Sequence, residues 1–315
     1  RFKTALTLLL AALLVPILAS LVLAESNVPP EGFVALFNGK NIDGWWGAKT
    51  EDPRDYMALA PEKLAEKKTA SLEDIQQHWR AEDGELINDG NGLYLTTDKF
   101  YGDFELMASY KMVPKADSGI YLRGTPQVSI WDATDETKFR HGADKGSGGL
   151  WNNPADAPGK DPLVFADNPI GQWDSVRVLM TGERVSVWLN GKLVVDHARL
   201  HNYFNNNKPP AEHLPLPKTG PIQLQTHGGE MRWRDLFIRE IAPDEANQIL
   251  ATKNDQGFKP VFNGKDFAGW AGETENYVVD DGAIACQPGK GGTIFTKGQY
   301  GDFVVRLELQ LPPGG

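Results

Sequence analysis

The chain repeats itself. FVALFNGKNIDGWWG at 33–47 returns as FKPVFNGKDFAGWAG at 258–272, an offset of 225, and YGDFEL at 101–106 returns as YGDFVV at 300–305, an offset of 199. A sequence that returns in this way folds as copies of one plan. The offsets differ by 225 − 199 = 26, which places an insertion of about that net length in the first copy, between Trp45 and Trp79. The expected organisation is a first domain over 30–242, a linker over 243–256 and a second copy over 257–315. That second copy breaks off at Gly315, the counterpart of Ala116, so the reading expects it to be truncated and short of most strands of a full core.

Both copies read as β-structure. Phe104, Leu106, Ala108, Tyr110 and Met112 alternate with Glu105, Met107, Ser109 and Lys111, and Phe303, Val305, Leu307, Leu309 and Leu311 repeat the pattern. Asn190-Gly191 between two alternating arms over 184–196 predicts a tight hairpin. Short strands with turn signals between them point to an all-β antiparallel sandwich or jelly roll. The insertion differs: Pro61 to Lys68 is helix-like, and Ser71 with Asp74 resembles a capping box opening a second short helix.

The stretch DSGIYLRGTPQVSIWD at 117–132 carries the candidate site. Ile120, Leu122, Val128 and Ile130 share one face, and alternation sends Tyr121, Arg123, Gln127, Ser129 and Trp131 to the other. Guanidinium and amide groups bond hydroxyls and flat rings stack on C–H faces, so such a face suits a carbohydrate ligand. A solvated outer sheet face would carry the same pattern. Gln223, Gln225 and His227 fall on a polar face of a later strand, with Gly228, Gly229 and Glu230 following. An imidazole beside two turn-forming glycines can move a proton near neutral pH. The loop over 133–171, rich in Gly, Pro, Asn and Asp, brings Trp151 within reach of this face.

Net charge −10 and a pI near 5.2 argue against nucleic acid as a partner. The single Cys286 permits no disulfide within the chain. Arg1, Lys3 and the apolar run 4–24 ending in Val22-Leu23-Ala24 predict a signal peptide over 1–24 and a secreted or periplasmic protein, with an uncleaved membrane anchor as the alternative. No phosphate loop, HExxH, CxxC or GxSxG motif occurs. Asp132, Asp135, Asp144, Asp156, Asp161 and Asp167 could furnish calcium ligands, but scattered loop aspartates more often form turns, so no cofactor is expected. The sequence does not speak to oligomeric state.

FNGKNIDGW, W…EDGEL, YGDFEL, DSGIYLRG, WLNG and LQTHGG occur in that order, and the set resembles the 3-keto-disaccharide hydrolase family. The resemblance covers about 33–240 and restarts at Phe258. It implies a concanavalin A-like jelly roll, export from a bacterial cell, and action on glycosides oxidised at C3. One departure stands out. The family's Tyr-Glu-x-Gln-Ile-x-Asp pattern is here Pro126-Gln127-Val128-Ser129-Ile130-Trp131-Asp132, and Gln127 cannot ionise, which disfavours a carboxylate-pair mechanism. A C3 ketone acidifies the C2 proton, which opens elimination and hydration instead. In that scheme His227 or Asp132 is the base, Arg123 stabilises the enolate, and Tyr121, Gln127, Ser129, Trp131, Trp151, Gln223, Gln225 and Glu230 hold the sugar. A non-catalytic carbohydrate-binding module is the competing expectation.

Overall fold

The computed structural model describes residues 27–253 and 259–300, together with 305 and 307–311. The expected export segment lies outside these residues. Among the described residues no helix is long and apolar enough to cross a membrane. The chain divides into two compact units after Leu250.

The first unit runs β1 (Val34–Ala35), β2 (Trp45–Ala48), α1 (Pro53–Met57), α2 (Pro61–His78), β3 (Trp79–Glu82), β4 (Glu85–Asn88), β5 (Tyr94–Thr97), β6 (Phe104–Met112), β7 (Asp117–Leu122), β8 (Thr125–Trp131), β9 (Asp174–Thr181), β10 (Arg184–Leu189), β11 (Lys192–Arg199), β12 (Gln223–Leu224), β13 (Met231–Glu240) and α3 (Pro243–Lys253). The larger sheet has the order β11-β10-β9-β6-β13-β4-β3, with β1 on β13, and the smaller β2-β5-β12-β7-β8. Late strands β12 and β13 sit between early ones, the crossovers of a jelly roll. All pairings are antiparallel.

The core lies between the sheets because strand alternation aims one parity of each strand inward. Phe104, Leu106, Tyr110, Val178 and Trp233 of the larger sheet join Leu95, Ile120, Leu122, Val128 and Ile130 of the smaller, all buried. Each such side chain contributes about 1.5–3 kcal/mol by leaving water. The Asn190-Gly191 turn forms as expected, with φ of 50° and 76°, the left-handed pair that matches strand twist.

The expected pair of helices over 61–68 and from Ser71 is the single helix α2, preceded in the insertion by the short α1. Ser71 and Asp74 fall inside α2 and tie it to the smaller sheet: Ser71 Oγ accepts from Gly47 N at 2.8 Å, and Asp74 Oδ1 accepts from Leu93 N at 2.6 Å. α2 thus covers the outer edge of β2, and Gly47 is needed there, because a Cβ would lie 2.8 Å from Ile75 Cγ2. The expected linker is also helical: α3 is bound to β13 by Arg239, which donates to Glu245 at 2.8 Å.

The second unit holds β14 (Trp270–Gly272), β15 (Tyr277–Asp280), β16 (Ala283–Cys286) and β17 (Ile294–Thr296). Its opening repeats the first unit bond for bond. Asn38 Oδ1 accepts from the nitrogens of Lys40 (2.8 Å) and Asn41 (2.9 Å), and Asn263 Oδ1 from those of Lys265 (2.8 Å) and Asp266 (3.0 Å). The Trp45 indole donates to Leu36 O at 2.8 Å and that of Trp270 to Val261 O at 2.9 Å. β14 pairs with β17 as β2 pairs with β5, and β15 with β16 as β3 with β4. Of the expected strand at 303–311 only Val305 and 307–311 are described, and these are not in a strand.

Candidate functional site

Every residue of β7 and β8 is buried, including those on the polar face. The face is therefore not a solvated sheet surface. Chain from the long loop runs beside β8, with Ser129 N donating to Gly149 O at 2.9 Å and Gly148 N to Ser129 O at 2.8 Å. The Trp131 indole donates to Gly146 O at 2.9 Å, and Ser129 Oγ to Gly149 O at 3.2 Å. At the other end the Tyr121 hydroxyl lies 2.9 Å from Thr50 Oγ1, and its ring meets Tyr94 edge-on at 5.4 Å.

Between these ends Gly119 forms the floor. Gln127 lies across it: a Cβ on Gly119 would sit 2.8 Å from Gln127 Cδ. Gln223 donates to Thr96 Oγ1 at 3.0 Å while its own carbonyl oxygen is buried without a partner, and the Gln225 carbonyl oxygen is in the same condition. A buried acceptor left unpaired costs about 1–3 kcal/mol.

The charged end of the face is at Asp117, which alternation aligns with Gly119 and Tyr121. Its Oδ2 lies 2.9 Å from His227 Nδ1 and accepts from Lys138 Nζ at 2.6 Å. Asp117 is 8% exposed, whereas the His227 side chain is 56% exposed. Burial opposes ionisation of Asp117, but the bonds from His227 and Lys138 outweigh it and hold the carboxyl below its ordinary value. The same bond to Asp117, against the opposing pull of burial, raises the His227 pKa. Gly228 and Gly229 turn the chain here with φ of 98° and 79°, and a Cβ on Gly229 would meet Ala116 Cα at 2.7 Å. Trp131, the cross-strand partner of Asp117, meets Trp151 edge-on at 6.4 Å, so an aromatic corner stands beside the dyad.

Tyr121, Gln127, Ser129, Trp131, Gln223 and Gln225 thus share the face, with Trp151 and His227 at its end. Three candidates stand elsewhere. Arg123 follows the end of β7 with φ 54°, and the turn swings its guanidinium to Gly102 O (2.8 Å) and Asp103 (2.7 Å), at the far end of the strand from His227. Asp132 accepts from Lys115 N (2.8 Å), Thr134 N (2.8 Å) and Thr134 Oγ1 (2.7 Å); burial opposes its ionisation, these bonds prevail, and its lowered pKa suits a turn-former better than a base. Glu230 belongs to the larger sheet, where it accepts from Arg232 Nε at 2.7 Å. Asp117 and Lys138 are candidates that the sequence reading did not single out. The parity of Asp117 with Tyr121 was an available signal, whereas Lys138, on a 3-10 turn in the long loop, offered none.

The loop aspartates have separate tasks. Asp135 caps the turn at Thr137 N (3.1 Å), Asp161 pairs with Lys145, and Asp167 accepts from Ser147 N (3.0 Å). Among the described residues no three His, Cys, Asp or Glu side chains converge as a metal site would require.

Fold and site together define an all-β jelly-roll sandwich with a buried polar face on its smaller sheet. Residues 32–239 and 257–315 match the family described as 3-keto-alpha-glucoside-1,2-lyase-like domain, and the chain belongs to that family. No curated protein matches it. Similar solved structures include two of provisionally assigned glycosyl hydrolases from Parabacteroides distasonis. One is 21% identical with a TM-score of 0.46, covering 69% of this chain and 100% of its own. The other is 19% identical with a TM-score of 0.48, covering 67% and 85%. A carbohydrate-binding module from Bacillus subtilis is 10% identical with a TM-score of 0.35, covering 51% and 91%.

Proposed function

We propose that the first unit cleaves 3-keto glucosides by 1,2-elimination and then hydrates the product. The observation that carries this is the Asp117–His227 pair at the end of the polar face. With Nδ1–H donated to Asp117, the other ring nitrogen of His227 is a free acceptor, the condition of a general base. It takes the C2 proton, and the C2–H electrons move toward the C3 carbonyl as an enolate. The enolate expels the C1 oxygen, leaving a C1–C2 double bond conjugated with the ketone, and the departing alkoxide takes up a proton. Water then adds its hydroxyl to C1 and C2 regains hydrogen. Lys138, on the same carboxylate as His227, is the nearer cation for the enolate and replaces Arg123 in that role. Trp131 with Trp151 flanks the leaving group.

The family description supports this chemistry, as does the lack of an ionisable group at Gln127. Gln127 also favours a second reading, a carbohydrate-binding module that no longer turns over substrate. The test is 4-nitrophenyl 3-keto-α-glucoside in D₂O. Nitrophenol release, deuterium at C2 of the sugar product, and a loss of about 10²–10⁴ in rate for His227→Ala support elimination. Saturable binding without release supports the binding module. We further propose that the mature chain is exported from Glu25 and that the second unit is built on the plan of the first. N-terminal sequencing of exported protein tests the former.

A further inference from the structure

The outer face of the larger sheet carries a cavity of about 580 Å³ that shares no residue with the candidate site. Its origin lies in the register. Ser109 of β6 stands directly opposite Ser175 of β9, and these small side chains lower the surface between taller neighbours. On one side Arg177 pairs with Trp188 of β10, its guanidinium 4.3 Å from the centre of the indole. On the other, the register of β13 shifts between Arg234 and Phe237, and Asp235 enters with φ 53°. Asp235 accepts from Ser109 Oγ at 3.2 Å and from Asn27 N at 2.8 Å.

We propose that this cavity binds one ring of a neutral oligosaccharide, as a second site on the opposite side of the sandwich from the first. Its volume is that of a small-ligand pocket. Met107 and Trp188 offer apolar surface for the C–H face of a pyranose, and Ser109, Ser175 and Asp235 offer donors and acceptors for its hydroxyls. The charges here are balanced: Arg177 is bonded to Glu105, and Arg234 Nε lies 3.3 Å from Asp235. A charged ligand would have to break one of these pairs, and a neutral one need not. A glycan held on this face touches neither Asp117 nor His227, so one molecule can bind a glycan and process another.

The test is titration of the full chain with maltohexaose, cellohexaose and laminarihexaose, followed by calorimetry and tryptophan fluorescence. Saturable binding of at least one is expected. Trp188→Ala should weaken it at least about tenfold, the usual scale for losing a central aromatic anchor. Ser175→Leu, which fills the floor and keeps the indole, should do the same, so the test survives misfolding of either variant. His227→Ala should bind as wild type. Absence of saturable binding to all three probes, unchanged affinity in both folded cavity variants, or loss of binding in His227→Ala overturns the proposal. None of these readings requires turnover, so failure of the elimination reading would leave this one standing.

Discussion

Replacing Asp117 with Asn tests the site most directly, because it keeps the shape and an acceptor oxygen and removes the charge. The bond from Lys138 is 2.6 Å long between side chains 12% and 29% exposed. A hydrogen bond between charged groups of that burial contributes about 1.5–3 kcal/mol. His227 is 56% exposed, so its share is held to about 1 kcal/mol or less by solvent screening. The Asn oxygen returns about 1 kcal/mol as a neutral bond, leaving a net loss of about 0.5–3 kcal/mol. For a unit of this size that lowers Tm by about 1–12 °C. Kinetically, Asp117 is what raises His227, so its loss lets the imidazole titrate at lower pH. A base must be unprotonated, so the rising limb of kcat/KM against pH moves to lower pH in Asp117→Asn. The plateau falls by about 10²-fold or more, because the ring is no longer held in its productive orientation. Stopped-flow or continuous release from a 3-keto nitrophenyl glucoside across pH 5–9 reads both. A folded Asp117→Asn protein whose limb stays in place, or moves upward, would refute the dyad.

The pair also marks stability against pH. Asp117, lowered, contributes fully above about pH 4 and loses its share as pH falls through its folded value; His227, raised, contributes fully below about 6.5 and loses its share as pH rises through its own. The Tm gap between wild type and Asp117→Asn should therefore be widest between these limits, vanish in acid and shrink in part in alkali, where Lys138 remains. Arg123→Ala should lower stability by about 3 kcal/mol, since it removes the cation beside Asp103, which keeps only its bond from Gly182 N, and the donor to two backbone carbonyls, with kcat of the folded protein close to wild type; a large kcat loss without a Tm change would restore Arg123 to the site. Gln127→Glu places a carboxyl on a floor only 5% exposed, so we expect a cost of about 1–3 kcal/mol and an unchanged elimination rate. A tenfold gain in rate would return a catalytic role to position 127.

The sandwich was legible because burial leaves a period of two in the sequence. Phe104 to Met112 forms β6 to the residue, and Asn190-Gly191 forms the turn its chemistry demands. Alternation failed where strands end. Leu122 is the last residue of β7, and Arg123, one step on, is already turned away by a positive φ. Gly228 and Gly229 carry the chain from the smaller sheet to the larger, so Glu230 shares no face with Gln225 although five residues separate them. Ser71 and Asp74 had the spacing of a cap but serve backbone groups distant in sequence, which local patterns do not encode. Lys138 reaches Asp117 only through the path of a long irregular loop.

The bonds from α2 to Gly47 and Leu93 bear on how such a domain can change over time. In the second unit a single 3-10 turn, Thr274–Asn276, stands between β14 and β15. Yet in the first unit Ile75 is now fully buried and two main-chain donors depend on Ser71 and Asp74. Excising the helix would strand both donors and open the edge of β2 to pairing with other chains. Removing α2 is therefore not a neutral shortening of the chain, whereas its exposed face can vary without touching either bond.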